Sequence, residues 1–454
     1  MKIVIIGGGK VGSELASQLL KEEHDVVLID NNRRVVKQLS EQLDMLTIYG
    51  NGAILELQRQ ADVGNAELLI AVTPQDELNM ICCIIARKLG CQNAIARVRS
   101  PEYARQMYFL QDELGLSMNV NPEWSTAREI FRLMQYPGFL KRDAFAKGRV
   151  EIVELDVHAG GALDGVLLSE LPKRLRVKVL VCAIQRGNEV VIPDGNFRLQ
   201  AFDRIHVTAP SAQLVALLAS IGLRQGRAKN AMLIGGSRIT QYLAESLLKA
   251  GTNVKIIELD QKKSVTLAEK LPKATVINAD GTNQNVLNSE NVSQMDTVVA
   301  LTNMDEENLI VSMYAKHVGV PQVITKINRT EYMELFRETG IDCLVSPKHL
   351  CAQEIIRYVR AMQNTTGSGV ISVHHLLDAK VEAIELRVTE HTKYRGIPLK
   401  DIRLKPNILV SCINHMGRIV IPGGNDVMTP GDTVIIVSQA GRVILDLNDI
   451  FQES

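Results

Sequence analysis

Short apolar runs alternate, over roughly the first 120 residues, with segments in which apolar positions recur every three or four residues. Residues 3–6, 26–29 and 68–72 are continuous apolar runs of strand length, typical of parallel strands covered on both faces. Residues 11–20 and 35–43 carry the helical spacing. This alternation predicts right-handed βαβ units, and therefore a Rossmann-like α/β fold with a doubly wound parallel sheet.

The pattern changes beyond residue 145. A helix is predicted after Pro122 and is expected to end at Pro137-Gly138, with residues 131–134 exposed and able to join chains into a ring. Short strands and one small helix are predicted after it, at residues 150–155, 177–184, 189–192, 204–207 and 214–218. Such a segment is typical of a small β-rich α+β domain.

The second half of the chain repeats the first. Gly7, Gly8, Gly9, Lys10, Val11 and Gly12 are matched at an offset of 228 (235 − 7) by Gly235, Gly236, Ser237, Arg238, Ile239 and Thr240, and Asp30 by Glu258. After one inserted residue the offset becomes 229 (280 − 51). At this offset Asn51-Gly52 matches Asp280-Gly281, Thr73 matches Thr302 and Arg97 matches Lys326. The repeat predicts two Rossmann domains, at 1–123 and 229–348, and two β-rich domains, at 140–224 and 368–453.

The first glycine loop has the spacing of a dinucleotide-binding loop. Gly7 permits the tight turn from strand to helix, Gly9 lets the backbone approach a pyrophosphate, and Gly12 allows close packing of the helix on the strand. The amides at the start of the helix then hold the phosphates. Asp30 ends the next apolar run, where its carboxylate accepts hydrogen bonds from the adenosine ribose and repels a 2′-phosphate, which favours NAD over NADP.

The second loop departs from this spacing. Ser237 places a side chain where backbone should approach phosphate, and Thr240 places a β-branched residue at the close-packing point. Glu258 keeps the ribose acceptor. Two interpretations stay open: a second nucleotide site that binds more weakly or prefers a different nucleotide, or a retained fold with a weakened or empty pocket.

Further candidate residues follow the other predicted strands. Asn51, Gly52 and Asp280 follow the third strand of each half, and Thr73-Pro74 and Thr302 follow the fourth, at the carboxyl edge where ligands bind in such sheets. The threonines are equally well explained as helix caps. Arg97 ends the fifth strand, where it meets a phosphate, the partner subunit or solvent, and Lys326 is its counterpart in the second half. Asp76-Glu77 and Asp305-Glu306 fit the positive end of a helix dipole, and a ligand or cation role is the alternative.

Composition excludes several classes of protein. Lys plus Arg and Asp plus Glu both number 51, so the net charge of zero does not suggest a nucleic-acid partner. The seven cysteines lack metal-site or disulfide spacing, and the nine histidines do not cluster with carboxylates, so no metal site is expected. No apolar run approaches the roughly 20 residues of a membrane span. A reduced, cytoplasmic location is therefore expected.

The domain order resembles that of the RCK (KTN) regulatory proteins of potassium transport. The residues that carry the resemblance are the Gly7 loop with Asp30, Thr73-Pro74, Asp76-Glu77-x-Asn79, residues 96–101, Ile192-Pro193 and Asp203. It implies NAD(H), and ATP or ADP, as ligands held by the loop glycines, Asp30, Thr73-Pro74 and Arg97. It also implies a homo-oligomer, a tetramer with a ring of Rossmann domains, at the inner face of the cell membrane. The partner would be a membrane potassium-translocating subunit of the Trk type.

Two alternatives remain open. One is an NAD-dependent oxidoreductase, which requires a second domain that offers an acid-base residue to the nicotinamide; the β-rich domains are short of suitable His or Lys. The other is a free-standing nucleotide sensor without a membrane partner. The interpretation adopted is a regulatory subunit without catalytic chemistry.

Overall fold

The chain divides into two compact units. The computed structural model describes residues 1–135, 141–145, 149–222, 228–329, 332–341, 343–364, 369–377, 380–439, 444 and 446–452. One unit contains Met1–Phe131 and Asn230–Ile356, and the other contains Arg132–Lys229 and Arg357–Ser454. Equivalent parts of the two halves therefore pair with each other. This division separates pairs of domains, so the four single-domain boundaries stay predictions.

The first Rossmann domain has a six-stranded parallel sheet. Its strands are β1 (Lys2–Ile6), β2 (Asp25–Asp30), β3 (Leu46–Tyr49), β4 (Leu68–Ala71), β5 (Asn93–Arg97) and β6 (Met118–Val120). Its helices are α1 (Lys10–Lys21), α2 (Arg33–Gln42), α3 (Leu55–Gln60), α4 (Asp76–Leu89), α5 (Pro101–Leu110) and α6 (Pro122–Gln135). The strand order is β3-β2-β1-β4-β5-β6, so the order reverses beside β1, where ligands bind in doubly wound sheets.

The first small domain is an antiparallel sheet with two helices. Its elements are β7 (Lys141–Phe145), β8 (Val150–Asp156), α7 (Leu171–Leu175), β9 (Leu180–Arg186), β10 (Glu189–Val191), β11 (Arg204–Pro210) and α8 (Ser211–Ser220). Its strand order is β10-β9-β11-β8-β7. β9 begins three residues later than predicted, because Val177 and Val179 are buried outside the strand. An apolar pattern reports burial rather than strand pairing, which is also why β7, polar except at its end, was missed.

The second half repeats both architectures. The parallel sheet contains β12 (Asn230–Ile234), β13 (Asn253–Glu258), β14 (Thr275–Asn278), β15 (Thr297–Ala300), β16 (Gln322–Lys326) and β17 (Leu344–Val345). Its helices are α9 (Arg238–Lys249), α10 (Gln261–Lys270), α11 (Gln284–Ser289), α12 (Asp305–His317), α13 (Met333–Glu338) and α14 (Pro347–Asn364). The second antiparallel sheet contains β18 (Val370–Leu376), β19 (Val381–Arg387), β20 (Ile408–His415), β21 (Arg418–Val420) and β22 (Thr433–Gln439). The predicted fold class is confirmed, with sheet orders β14-β13-β12-β15-β16-β17 and β18-β19-β22-β20-β21.

One expectation about α6 is wrong. Leu133 and Met134 are buried within the chain, at 2% and 1% exposure, so they are not available to join chains. Helical spacing marks an apolar face but does not say whether the same chain covers it. The predicted helix stop at Pro137-Gly138 lies outside the described residues.

The described residues contain no disulfide, metal site or membrane-spanning helix. All seven cysteines are free and buried. In the described part of the chain, no three His, Cys, Asp or Glu side chains come together as a metal site. No described helix combines the length and the hydropathy needed to cross a bilayer.

Candidate nucleotide-binding cleft

The first glycine loop has no room for a side chain at Gly12, whereas Gly9 lies beside open space. Gly7 has a φ of +104°, and its amide donates to the Ile29 carbonyl at 2.8 Å. A Cβ at Gly12 would lie 1.9 Å from the Gly7 carbonyl oxygen, whereas a Cβ at Gly9 would meet no atom within 4 Å. Gly9, the residue before α1, has no side chain that could accept hydrogen bonds from the first amides of this helix. The loop therefore presents unsatisfied amides beside open space, which suits a phosphate.

Asp30 braces the loop and faces the cleft beneath it. Its Oδ2 accepts a hydrogen bond from the Gly8 amide at 2.6 Å, and its Oδ1 accepts one from the Asn32 amide at 2.7 Å. A carboxylate offers about four acceptor sites, so two remain for ribose hydroxyl groups. Asp30 thus combines a structural role with the predicted ligand role.

Both Rossmann domains line one cleft of about 710 Å³, a size that suits a small-molecule ligand. The predicted residues on its wall are Gly7, Gly9, Lys10, Val11, Asp30, Asn51, Gly52, Thr73, Pro74, Arg97, Ser237, Arg238, Ile239 and Lys326. The predicted residues absent from its wall are Gly8, Gly12, Gly235, Gly236, Glu258, Asp280 and Thr302. The second loop therefore forms the opposite wall of the cleft that the first loop opens.

The wall of the cleft is mainly cationic. Its basic residues are Lys10, Arg97, Arg99, Arg238, Lys326 and Lys348, and its acidic residues are Asp30 and Glu123. Arg99 donates from Nε to Glu123 Oε1 at 2.6 Å, so one basic group is neutralised. An excess of positive charge remains, which favours an anionic ligand.

Two of these cations are desolvated. Arg97 and Lys326 end the equivalent strands β5 and β16. Arg97 donates only a long 3.4 Å bond to the Val72 carbonyl, and its Nε has no partner in the described chain. Lys326 is only 5% exposed. Burial lowers the pKa of Arg97, and burial lowers the pKa of Lys326 to about 8. Since unpaired buried charge is costly, both cations favour a bound anion.

The Thr73 motif supports the cleft more than it lines it. Asn79 is fully buried, and its Oδ1 accepts from the Thr73 amide at 2.8 Å and from the Thr73 hydroxyl at 2.7 Å. The Asn79 amide group donates to the Arg97 carbonyl at 2.8 Å. Asp76 accepts from the Arg99 amide at 2.9 Å. These residues fix the strand end that carries both arginines.

Sequence reasoning missed part of the wall. Arg99, Glu123 and Lys348 line the cleft without having been predicted to do so. Pro122 and Pro347 begin the equivalent helices α6 and α14, so alignment of these two helices would have pointed to Glu123 and Lys348. Asn79 belonged to a recognised motif, but only its contacts reveal its role.

The second loop satisfies itself. Ser237 Oγ accepts from the Thr240 amide at 3.3 Å, and the Thr240 hydroxyl donates to the Gly235 carbonyl. Glu258 accepts from the Gly236 amide and, at 2.7 Å, from the Asp260 amide. The Ser237 side chain thus caps the start of α9, a hydrogen bond that Gly9 cannot make at the start of α1.

Restoring glycine at Ser237 and Thr240 is expected to uncover amides in the second loop and to raise nucleotide affinity there. Each freed amide that bonds a phosphate oxygen contributes about 1.5 kcal/mol or more, or about tenfold in affinity. Calorimetry gives the number of nucleotides bound per chain and checks this. An unchanged stoichiometry and affinity would mean that the second loop serves only as a wall of the first site.

Raising the pH from 7 to 9 is expected to weaken nucleotide binding. The pKa of Lys326 is about 8, so one pH unit above it about a tenth of the side chains stay charged, and affinity falls by up to about tenfold. Binding measured across this range in wild type and Lys326→Arg checks the source, because arginine keeps its charge. A profile equally steep in Lys326→Arg would exclude Lys326 as the cause.

Domain models and full-length relatives match this architecture. The TrkA-N domain model matches residues 3–122 and 231–347, and the TrkA-C domain model matches residues 152–222 and 383–445. A Trk system potassium uptake protein TrkA homolog of Methanosarcina mazei is 32% identical over 97% of this chain and 98% of its own length. TrkA of Halomonas elongata is 32% identical over 100% of this chain and 99% of its own.

Solved structures share the fold at lower identity. The GsuK RCK domain superimposes with a TM-score of 0.63 at 19% identity, covering 96% of this chain and 92% of its own. The GsuK channel bound to NAD superimposes with a TM-score of 0.63 at 19% identity, over 96% of this chain and 76% of its own. With TrkA domains matched in both halves and relatives aligned over almost its full length, this chain belongs to the TrkA family of Trk potassium uptake systems.

Proposed function

We propose that the cleft binds an adenine nucleotide, NAD(H) or ATP/ADP, and that binding regulates a membrane potassium-translocating subunit of the Trk type. The observation that carries the proposal is the joint construction of the cleft. The first domain supplies the complete glycine loop and Asp30, and the second supplies Arg238 and Lys326 on the opposite wall.

The proposed division of labour follows from these positions. Asp30 holds the ribose through its free acceptor sites, with Asn51 and Gly52 at the end of the next strand. The amides near Gly9 hold the first phosphates, and the half-buried Arg97 and the buried Lys326 neutralise those farther from the ribose. A related structure, the GsuK channel, is described bound to NAD and, in another crystal, bound to ADP, which supports both ligand classes.

Regulation follows from a ligand that touches two domains. A ligand shifts a conformational equilibrium only by its differential affinity for the two states. Contacts on both walls of one cleft supply such a difference, because any change in the separation of the walls changes how many contacts the ligand makes. The nucleotide then acts as a signal rather than as a substrate.

Several features favour a signal over catalysis. Hydride transfer to a small substrate needs a positioned acid-base group. None of the described residues that line the cleft is a histidine, and its lysines and arginines lie where an anionic ligand would contact them. We therefore propose a regulatory subunit without chemistry of its own. We further propose that it works as a tetramer with a ring of Rossmann domains, in the cytoplasm, on the inner face of the membrane.

The test is potassium flux through a Trk-type membrane subunit in proteoliposomes, with and without this protein, across ATP, ADP and NADH. We expect flux to depend on the protein and to differ between nucleotides. Flux that is independent of nucleotide, together with no physical association, would favour the free-standing sensor. Turnover of NADH with a panel of carbonyl substrates would favour the oxidoreductase.

A further inference from the structure

The first Rossmann domain carries exposed apolar side chains at one edge. Tyr49, Ile54 and Leu55 are 49%, 48% and 40% exposed. They lie on residues 49–55, which run from the end of the edge strand β3 to the start of α3. These residues are called the 49–55 surface below. Single exposed apolar residues are ordinary, but three within seven residues on one edge indicate a binding surface.

The second half shows that the fold does not need these side chains. Counting along the repeat, Tyr49, Ile54 and Leu55 correspond to Asn278, Asn283 and Gln284. The corresponding elements are the same, since β14 ends at Asn278 and α11 begins at Gln284. Asn278, Asn283 and Gln284 are exposed as well. The same backbone is therefore compatible with a polar surface, and the apolar one belongs to the first domain alone.

The 49–55 surface is also cationic. The Arg33 guanidinium lies over the Tyr49 ring, 4.8 Å from its centre. Glu56, the nearest acid along the chain, is paired with Arg59 at 3.2 Å. Neither Arg33 nor its neighbour Arg34 has a carboxylate within 4.0 Å in the described part of the chain. Tyrosine and arginine are the residue types that most often dominate binding energy at interfaces.

The 49–55 surface borders the nucleotide cleft. Gly50, Asn51 and Gly52 line the cleft, whereas Tyr49, Ile54 and Leu55 do not. One short segment therefore presents its middle residues to the ligand and its ends to solvent. A nucleotide in contact with Asn51 would therefore lie next to the exposed side chains on either side of it.

We propose that the 49–55 surface docks a cytoplasmic segment of the membrane potassium-translocating subunit, a segment that offers apolar side chains and carboxylates. This proposal rests on the proposed function. A second copy of the chain fits less well, because self-pairing of this surface would bring Arg33 and Arg34 against the same residues of the other copy. A ring built from both Rossmann domains would also use a surface present in both.

The test replaces the surface with its own counterpart. In Tyr49→Asn/Ile54→Asn/Leu55→Gln, each new residue already stands at the equivalent position of the second half. Binding of the full-length protein to a Trk-type membrane subunit in nanodiscs is measured with ATP or NADH present. We expect the variant to bind at least about tenfold more weakly, as for the loss of an aromatic interface anchor. Nucleotide affinity, measured by calorimetry, should stay within about twofold of wild type.

The matched control is Phe202→Gly. Phe202 is 83% exposed in the first small domain, and its repeat counterpart is Gly431. The Phe202→Gly substitution removes an exposed apolar side chain far from residues 49–55 in sequence, and it should leave binding to the membrane subunit unchanged.

The outcomes separate the docking proposal from the proposed function. Equal binding of wild type and the triple variant would overturn the docking surface while leaving the regulatory function standing. No binding of wild type in any nucleotide would overturn the regulatory function. Binding of wild type to empty nanodiscs, or a smaller oligomer of the variant in sedimentation, would assign the surface to lipid or to a second copy and so overturn the proposal.

Discussion

Replacing Asp30 with alanine is expected to weaken NADH binding by about 10- to 100-fold. The Asp30 carboxylate accepts hydrogen bonds from the Gly8 and Asn32 amides and faces the cleft. Loss of a charged hydrogen-bonding group costs roughly 1.5–3 kcal/mol, and each 1.4 kcal/mol is about tenfold in affinity. The variant also releases the Gly8 amide, so the loop loses a brace as well as a ribose acceptor. Isothermal calorimetry on the intact protein measures the effect.

The matched control is Glu258→Ala. Glu258 holds the equivalent amides of the second loop but does not line the cleft. It should therefore leave affinity at the first site nearly unchanged. Equal weakening by both variants would mean that Asp30 acts only through the fold, and unchanged affinity in Asp30→Ala would place the ribose elsewhere.

Alanine at Gly12 is expected to lower the stability of the protein, whereas alanine at Gly9 is expected to lower its nucleotide affinity. At Gly12 the new Cβ would lie 1.9 Å from the Gly7 carbonyl oxygen, so the loop must move and the free energy of unfolding falls by about 1–3 kcal/mol or more. At Gly9 the new Cβ meets no atom within 4 Å and φ is −67°, which alanine adopts readily. Stability should then be kept, while the methyl group occupies the phosphate position and lowers nucleotide affinity by about tenfold or more.

Two measurements separate these consequences. Chemical denaturation gives the free energy of unfolding, and calorimetry gives nucleotide affinity. Gly9→Ala that binds nucleotide as tightly as wild type would mean that no phosphate lies at the start of α1. If Gly12→Ala kept wild-type stability, the first loop would tolerate a side chain at this position, as the second loop does with Thr240.

Local pattern was enough to determine the fold class and the repeat. Parallel strands buried on both faces need continuous apolar runs, and the helices between them need apolar residues at helical spacing, so both leave a signal in the sequence. The first glycine loop and Asp30 were predictable for a similar reason. Backbone turns and carboxylate placement depend on neighbouring residues of the same βαβ unit.

The position of the second loop was decided only by the tertiary structure. Ser237, Arg238 and Ile239 were predicted to belong to a second pocket, yet they line the cleft of the first domain. Arg97 and Lys326 were predicted separately, yet they face one cleft. Their spacing in sequence exceeds 220 residues (326 − 97), and no local pattern records which surfaces of two folded domains meet.

Contacts likewise decided the roles of residues whose types the sequence displayed. Thr73 was equally well explained as a cap or as a ligand, and only its bonds to Asn79 show that it holds the strand end in place. Hydrogen-bond partners and burial depend on side-chain directions set by packing across the whole unit. The sequence by itself therefore determined the fold and the first loop, whereas the packing of two domains determined the shared, cationic cleft.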